Sequence, residues 1–194
     1  TPVNLAMNGA GTELTGEGEA GTIVTVWNED GQQVGSGGVL PNGTFSITLV
    51  PAQIDGRSLE VVLSDGAGKY SAAGLIYSPD LTAPDAATDL QVSADGSVLT
   101  GTGEVGAVVE VRNVANQLVG TGTIQPDGSF SIALTPLQRD GSVLQITLTD
   151  AAGNTSVVAN VSTPDLIAPP APANLQVGAD GLSLTGTGEA GATV

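Results

Sequence analysis

The chain has 194 residues, with 20 acidic and 4 basic side chains and a formal net charge of -16. It has no cysteine and no histidine, which excludes disulfides, thiol catalysis, Cys/His zinc sites and His-based triads. The acidity argues against nucleic acid and anionic membrane as partners, because phosphate contacts need Lys and Arg.

No run of about 18 apolar residues is present, so no membrane-inserting helix is expected. Nothing at Thr1 has the make-up of a signal peptide. The pattern described below is already under way there, so the chain reads as a segment of a longer array. The 28 glycines, the scarcity of aromatics and the abundance of Thr, Val and Ser suit many short strands joined by tight turns.

An internal repeat sets the domain count. Leu-Thr-Gly occurs at Leu14, Leu99 and Leu184, each 85 residues after the last. The same offset relates Leu5, Leu90 and Leu175, Phe45 and Phe130, Asp55-Gly56 and Asp140-Gly141, and Pro79-Asp80 and Pro164-Asp165. No insertion or deletion interrupts it. The expected organisation is one module over 1–84, a second over 85–169 and the first part of a third over 170–194. Linkers are expected at Ser78–Pro84 and Thr163–Pro172, where prolines make short, semi-rigid joints.

Within the second module, apolar and polar residues alternate in seven segments. In chain order they are A (Thr88–Ser93), B (Ser97–Gly103), C (Ala107–Asn113), a fourth strand (Gln117–Gly122), E (Ser129–Leu134), F (Val143–Thr149) and G (Thr155–Ser162). Turn residues separate them, including Asp95-Gly96, Asp127-Gly128 and Asp140-Gly141. Alternation assigns Val109, Val111, Phe130, Ile132, Leu134, Leu144, Ile146, Leu148, Val157, Ala159 and Val161 to the core. The first module repeats this with Val24, Val26, Phe45, Ile47, Leu49, Leu59, Val61 and Leu63. Seven such strands in about 85 residues predict an all-β chain of tandem, seven-stranded, immunoglobulin-like Greek-key sandwiches. Trp27 aligns with Arg112, an outward position, so it is expected to face solvent as ordinary surface packing.

The motifs Leu99-Thr100-Gly101-Thr102-Gly103-Glu104, Gly120-Thr121-Gly122-Thr123, Asp127-Gly128-Ser129-Phe130, Leu148-Thr149-Asp150-Ala151-Ala152-Gly153-Asn154 and Pro164-Asp165 resemble the bacterial Ig-like repeats of large Bap-type biofilm adhesins. The same repeat class occurs in giant adhesins exported by type I secretion. The resemblance implies a repetitive extracellular stalk on the bacterial cell surface, acting in cell adhesion and biofilm formation, with Ca²⁺ stiffening the array. The partners it implies are neighbouring modules, further adhesin copies and host or abiotic surfaces. The first module departs from the pattern: Asn42 stands at the Asp127 position, and Gly68-Lys69 replaces Gly153-Asn154.

Strand order brings the B-to-C, fourth-to-E and F-to-G loops to the end of the module nearest the preceding linker. In the second module these loops carry Glu104, Asp127 and Asp150, and the linker carries Asp80 and Asp85. The far end of the first module presents Glu29, Asp30 and Asp55. Uncompensated, such a gathering repels itself, and Ca²⁺ with its six to eight oxygen ligands would neutralise it. The expected metal site uses Asp80, Glu104 and Asp150, with Asp85 and Asp127 as secondary candidates. Asp165 and Glu189 are the equivalents at the next joint. The competing reading is that these are solvated turn acids.

Only carboxylates could act as general acid and base, and each recurs in a repeated turn. The expectation is therefore no enzyme. Two functions remain: a stalk segment, or an Ig-like ligand- or glycan-binding module.

Overall fold

The computed structural model describes all 194 residues, which form strands and turns with no helix. They divide into two compact units: Thr1–Ala83 with Ala152–Asn154, and Pro84–Ala151 with Thr155–Val194.

The first unit holds β1 (Val3–Met7), β2 (Glu13–Glu17), β3 (Ile23–Asn28), β4 (Gln33–Gly38), β5 (Thr44–Thr48), β6 (Ser58–Ser64) and β7 (Gly74–Tyr77). They pair antiparallel as a three-stranded sheet, β1-β2-β5, and a four-stranded sheet, β4-β3-β6-β7. Period-two alternation drives this arrangement. In β6, Leu59, Val61 and Leu63 are buried while Ser58, Glu60, Val62 and Ser64 face outward. Val24 and Val26 of β3, with Phe45 and Ile47 of β5, enter the same core. Full burial contributes roughly 1.5–3 kcal/mol for each such side chain. The fourth strand pairs with β3 because the turn between them is tight. The Asn28 side-chain oxygen accepts the Gln32 N–H at 2.8 Å, and the Asn28 carbonyl accepts the Gly31 N–H at 3.0 Å. The chain is thereby turned straight back along β3.

The second unit repeats the plan with β8 (Thr88–Val92), β9 (Val98–Thr102), β10 (Val108–Arg112), β11 (Leu118–Thr123), β12 (Ser129–Ala133), β13 (Val143–Thr149) and β14 (Ala159–Ser162). Its sheets are β12-β9-β8 and β11-β10-β13-β14. The repeated Leu-Thr-Gly acquires a packing reason here. Leu99 is fully buried, and Gly101, two residues on, shares its face. A Cβ on Gly101 would lie 2.6 Å from Phe130 Cζ and 2.8 Å from Leu90 Cδ2. The glycine is the space into which the aromatic ring fits.

Two further strands, β15 (Ala173–Val177) and β16 (Leu184–Thr187), pair only with each other. Leu184 is 61% exposed where Leu14 and Leu99 are 0% exposed. A hairpin with no facing sheet cannot bury its apolar side.

The first strand of each period is bulged. The register shifts between Val3 and Ala6 in β1, between Thr88 and Gln91 in β8, and between Ala173 and Gln176 in β15. Asn4, Asp89 and Asn174 at these shifts have φ of 52°, 52° and 54°, a region that Asn and Asp enter more readily than other side chains. Each side chain bonds the adjacent strand: Asn4 donates to Glu17 Oε2 at 3.0 Å, Asp89 accepts from the Thr102 hydroxyl at 3.1 Å, and Asn174 donates to Thr187 Oγ1 at 3.1 Å.

Strand G differs from its sequence-based reading. It was expected from Thr155 with Val157 in the core, but β14 begins at Ala159 and Val157 is 75% exposed. The ladder pairs Ile146 with Ala159, whereas the isolated bridge ahead of it pairs Thr149 with Thr155. This is a slip of one residue. It turns Ser156 inward, where its hydroxyl accepts the buried Leu148 N–H at 2.9 Å and donates to the Val157 carbonyl at 3.0 Å. Ser71 does the same for Leu63 in the first unit.

Candidate functional site

Most of the aspartates sit in the loops, and most of those with defined partners close their own turns. Asp-Gly-Ser occurs at Asp95, Asp127 and Asp140. In each, the carboxylate accepts the N–H of the serine two residues on, at 3.1, 3.0 and 3.1 Å. The glycine supplies the positive φ that bends the chain back toward the carboxylate. Hydrogen bonds to the charged form favour it. The hydroxyls of Ser93 and Ser97, with the Ser97 N–H, hold the Asp95 carboxyl down to about 2. The Ser129 side chain and N–H lower Asp127, and those of Ser142 lower Asp140. The Ser58 hydroxyl and N–H lower Glu29, bonding its carboxylate at 2.8 and 3.0 Å. The sequence reading named the acids but not these serines. The signal for them was the thrice-repeated Asp-Gly-Ser.

Asp80 and Asp165 have a different setting. Each lies in the segment following the last strand of its sandwich. Asp80 forms a bridge with Asp55, and Asp165 with Asp140. The segment is strapped to the loop before strand F. The Ser78 N–H donates to Arg57 at 2.9 Å, the Gly56 N–H to Pro79 at 3.3 Å, and the Leu81 N–H to Ile54 at 2.7 Å. The second unit repeats all three bonds, through Thr163, Gly141 and Leu166. Half of each expected linker is thus part of the sandwich it leaves. Asp80 Oδ1 accepts the Thr82 N–H at 3.1 Å, and Asp165 Oδ1 accepts the Ile167 N–H at 3.2 Å. In the first unit Arg57 stands 3.5 Å from Asp55 and 3.8 Å from Asp30; Ser142 occupies its place in the second.

The remaining candidates are spread along the chain. Asp85 is exposed just ahead of β8, Glu104 is exposed in the turn after β9, and Glu189 is exposed in the turn after β16. Asp150 is half-buried at the end of β13. The loops of Glu104 and Asp127 are joined by the Gly103 N–H donating to the Gly128 carbonyl at 3.0 Å. Within either unit no three acidic side chains gather closely enough to hold a metal ion between them.

Two facing antiparallel sheets of three and four strands, with the fourth strand hairpinned onto the third, define an immunoglobulin-like β-sandwich. The chain belongs to the bacterial Ig domain family, whose model matches residues 1–80 and 83–165. No curated protein matches it. Among solved structures it is similar to the BSP domain of a biofilm associated protein, at 26% identity over 86% of this chain and 30% of that one, with a TM-score of 0.38. It therefore spans less than a third of that chain's length. It is also similar to a two-domain fibronectin type-III segment of chicken tenascin, at 11% identity over 84% of this chain and 98% of that one, with a TM-score of 0.36.

Proposed function

We propose that the chain is a stretch of repetitive stalk modules from a bacterial cell-surface adhesin, working outside the cell in adhesion and biofilm formation. One observation carries this reading: a self-contained sandwich recurs residue for residue. Leu14 and Leu99, Val24 and Val109, Phe45 and Phe130, and Leu59 and Leu144 are buried in equivalent places 85 residues apart. Each repeat adds length with its own core, which is what a spacer needs and a single catalytic centre does not. The straps after β7 and β14 fit this role, since they leave only a few unbonded residues before the next strand. Secretion through a type I pathway belongs to the same proposal, as does Ca²⁺ as stiffener. Calcium is supported by the net charge of -16 and the acid-bearing loops.

The test places one, two or four periods between a cell-surface anchor and a fixed binding head. Adhesion to a surface coated with the head's ligand should rise with period number, whichever period is duplicated. Adhesion independent of period number would sink the proposal.

A further inference from the structure

The outer face of the β4-β3-β6-β7 sheet has a feature that a spacer does not use. The chain contains one Trp and two Tyr, and all three lie on this face. Trp27 of β3 pairs with Glu60 of β6, which pairs with Leu75 of β7. Tyr77 pairs with Ser58, and Tyr70 bridges Ser64. Because Val26, Val61 and Ile76 turn toward the core, these partners turn away from it. Tyr70, Tyr77 and Leu75 are 72%, 70% and 63% exposed. Trp27, Glu60, Val62 and Tyr70 line one open depression of about 600 Å³, edged by Asn28 and Glu29.

The fold does not demand this set. At the same registers the second unit carries Arg112, Gln145, Thr147, Thr155, Asn160 and Ser162. There the Arg112 guanidinium is engaged by Glu110 at 3.0 Å and by the Asn116 carbonyl at 3.2 Å. One scaffold thus presents an aromatic, acidic face in the first unit and a polar, self-paired face in the second.

Aromatic rings present a negative face, and a cation over that face is attracted to it. Glu60 adds a full negative charge beside them, as does Glu29 at the rim. Two bases lie near the face: Arg57, which is paired with Asp30 and Asp55 and also acts on Glu29, and Lys69, which lines a neighbouring depression that shares Tyr70; neither lines the depression beside Glu60. Anionic ligands are repelled by the two carboxylates. We propose that this face is a binding site for a quaternary ammonium of the choline type, its methyl groups packed against Trp27, Tyr70 and Val62 and its charge facing Glu60.

Trp27 is the chain's one tryptophan, so its fluorescence reports the site directly. The whole chain is titrated with choline chloride, with sodium chloride at matched ionic strength, and with 3,3-dimethylbutan-1-ol, the neutral isostere. A saturable change with choline alone is expected. Glu60→Gln and Tyr70→Thr install the residues the second unit carries at these registers, so both suit the fold. Each should weaken choline binding by roughly five- to tenfold. An equal response to the neutral alcohol would mean an apolar hollow only, and a response to cellotetraose but not choline would mean a glycan site. Either result overturns the proposal, as does the absence of any saturable choline response. The stalk reading is judged separately, by the dependence of adhesion on period number.

Discussion

Gly11→Ala and Gly21→Ala separate two costs that glycine removes. Both positions have positive φ, 66° and 82°. At Gly21 nothing lies within 4 Å of an added Cβ, whereas at Gly11 the Cβ would overlap the Gln53 carbonyl oxygen and lie 2.9 Å from Ile54 Cγ2. The left-handed conformation costs an L-residue about 1–2 kcal/mol. Stiffening the unfolded chain returns about 0.4–1 kcal/mol of that. Gly21→Ala should therefore destabilise by roughly 1 kcal/mol or less. Gly11→Ala must also displace the Gln53 backbone, whose N–H donates to the Gly11 carbonyl at 2.8 Å in a place where Gln53 is only 7% exposed. Leaving such a buried donor unpaired costs about 1–3 kcal/mol, for a total of roughly 1–4. Trp27 fluorescence during urea unfolding reads the first unit directly. In a domain of this size each kcal/mol moves Tm by about 4–8 °C, so the two variants should be well separated. Equal urea midpoints would refute the steric argument.

Ser156→Ala leaves the buried Leu148 N–H without its acceptor and should cost about 1–3 kcal/mol, read as a lower melting transition of the second unit by calorimetry; an unchanged transition would contradict the one-residue slip. The carboxyl of Asp95, held at about 2 against an ordinary 3.8, contributes stability that is complete above pH 4 and is lost as pH falls toward 2. Carboxyl NMR should find its midpoint near 2, moving up toward 3.8 in Ser93→Ala/Ser97→Ala, and a midpoint near 3.8 in the unmodified chain would refute the assignment. Calorimetric titration with Ca²⁺ should give heat, and a hundredfold excess over Kd should add about 2.7 kcal/mol of stability that EGTA removes. Asp80→Asn, Glu104→Gln and Asp150→Asn should weaken this while Asp95→Asn leaves it unchanged, and a titration without heat rules the metal out.

The sandwich was legible because its information is periodic. Val109, Phe130, Leu144 and their counterparts announce themselves by alternation, and the 85-residue offset checks each assignment twice. The slip before β14 was not legible, because Val157 continues the alternation and only the Ser156 hydroxyl reveals that the register has moved. The strap at Asp80 escaped for a similar reason: irregular backbone bonded to a loop has no period. Trp27 was correctly read as outward from its alignment with Arg112. It looked solitary because Tyr70 and Tyr77 lie some 40 to 50 residues further on, and only strand pairing brings them to the same face.

Near-identical sandwiches strung in series face a hazard of their own making. While several are unfolded together, the first strand of one can join the sheet of another as well as its own. The twist at Asn4, Asp89 and Asn174 bears on this, because a bulged outer strand is a poor template for a foreign neighbour. Each side chain there also fastens the kink to the next strand of the same period. A straight outer strand would offer an open edge to every copy, and the bulge makes that edge a poorer template once each sheet has formed.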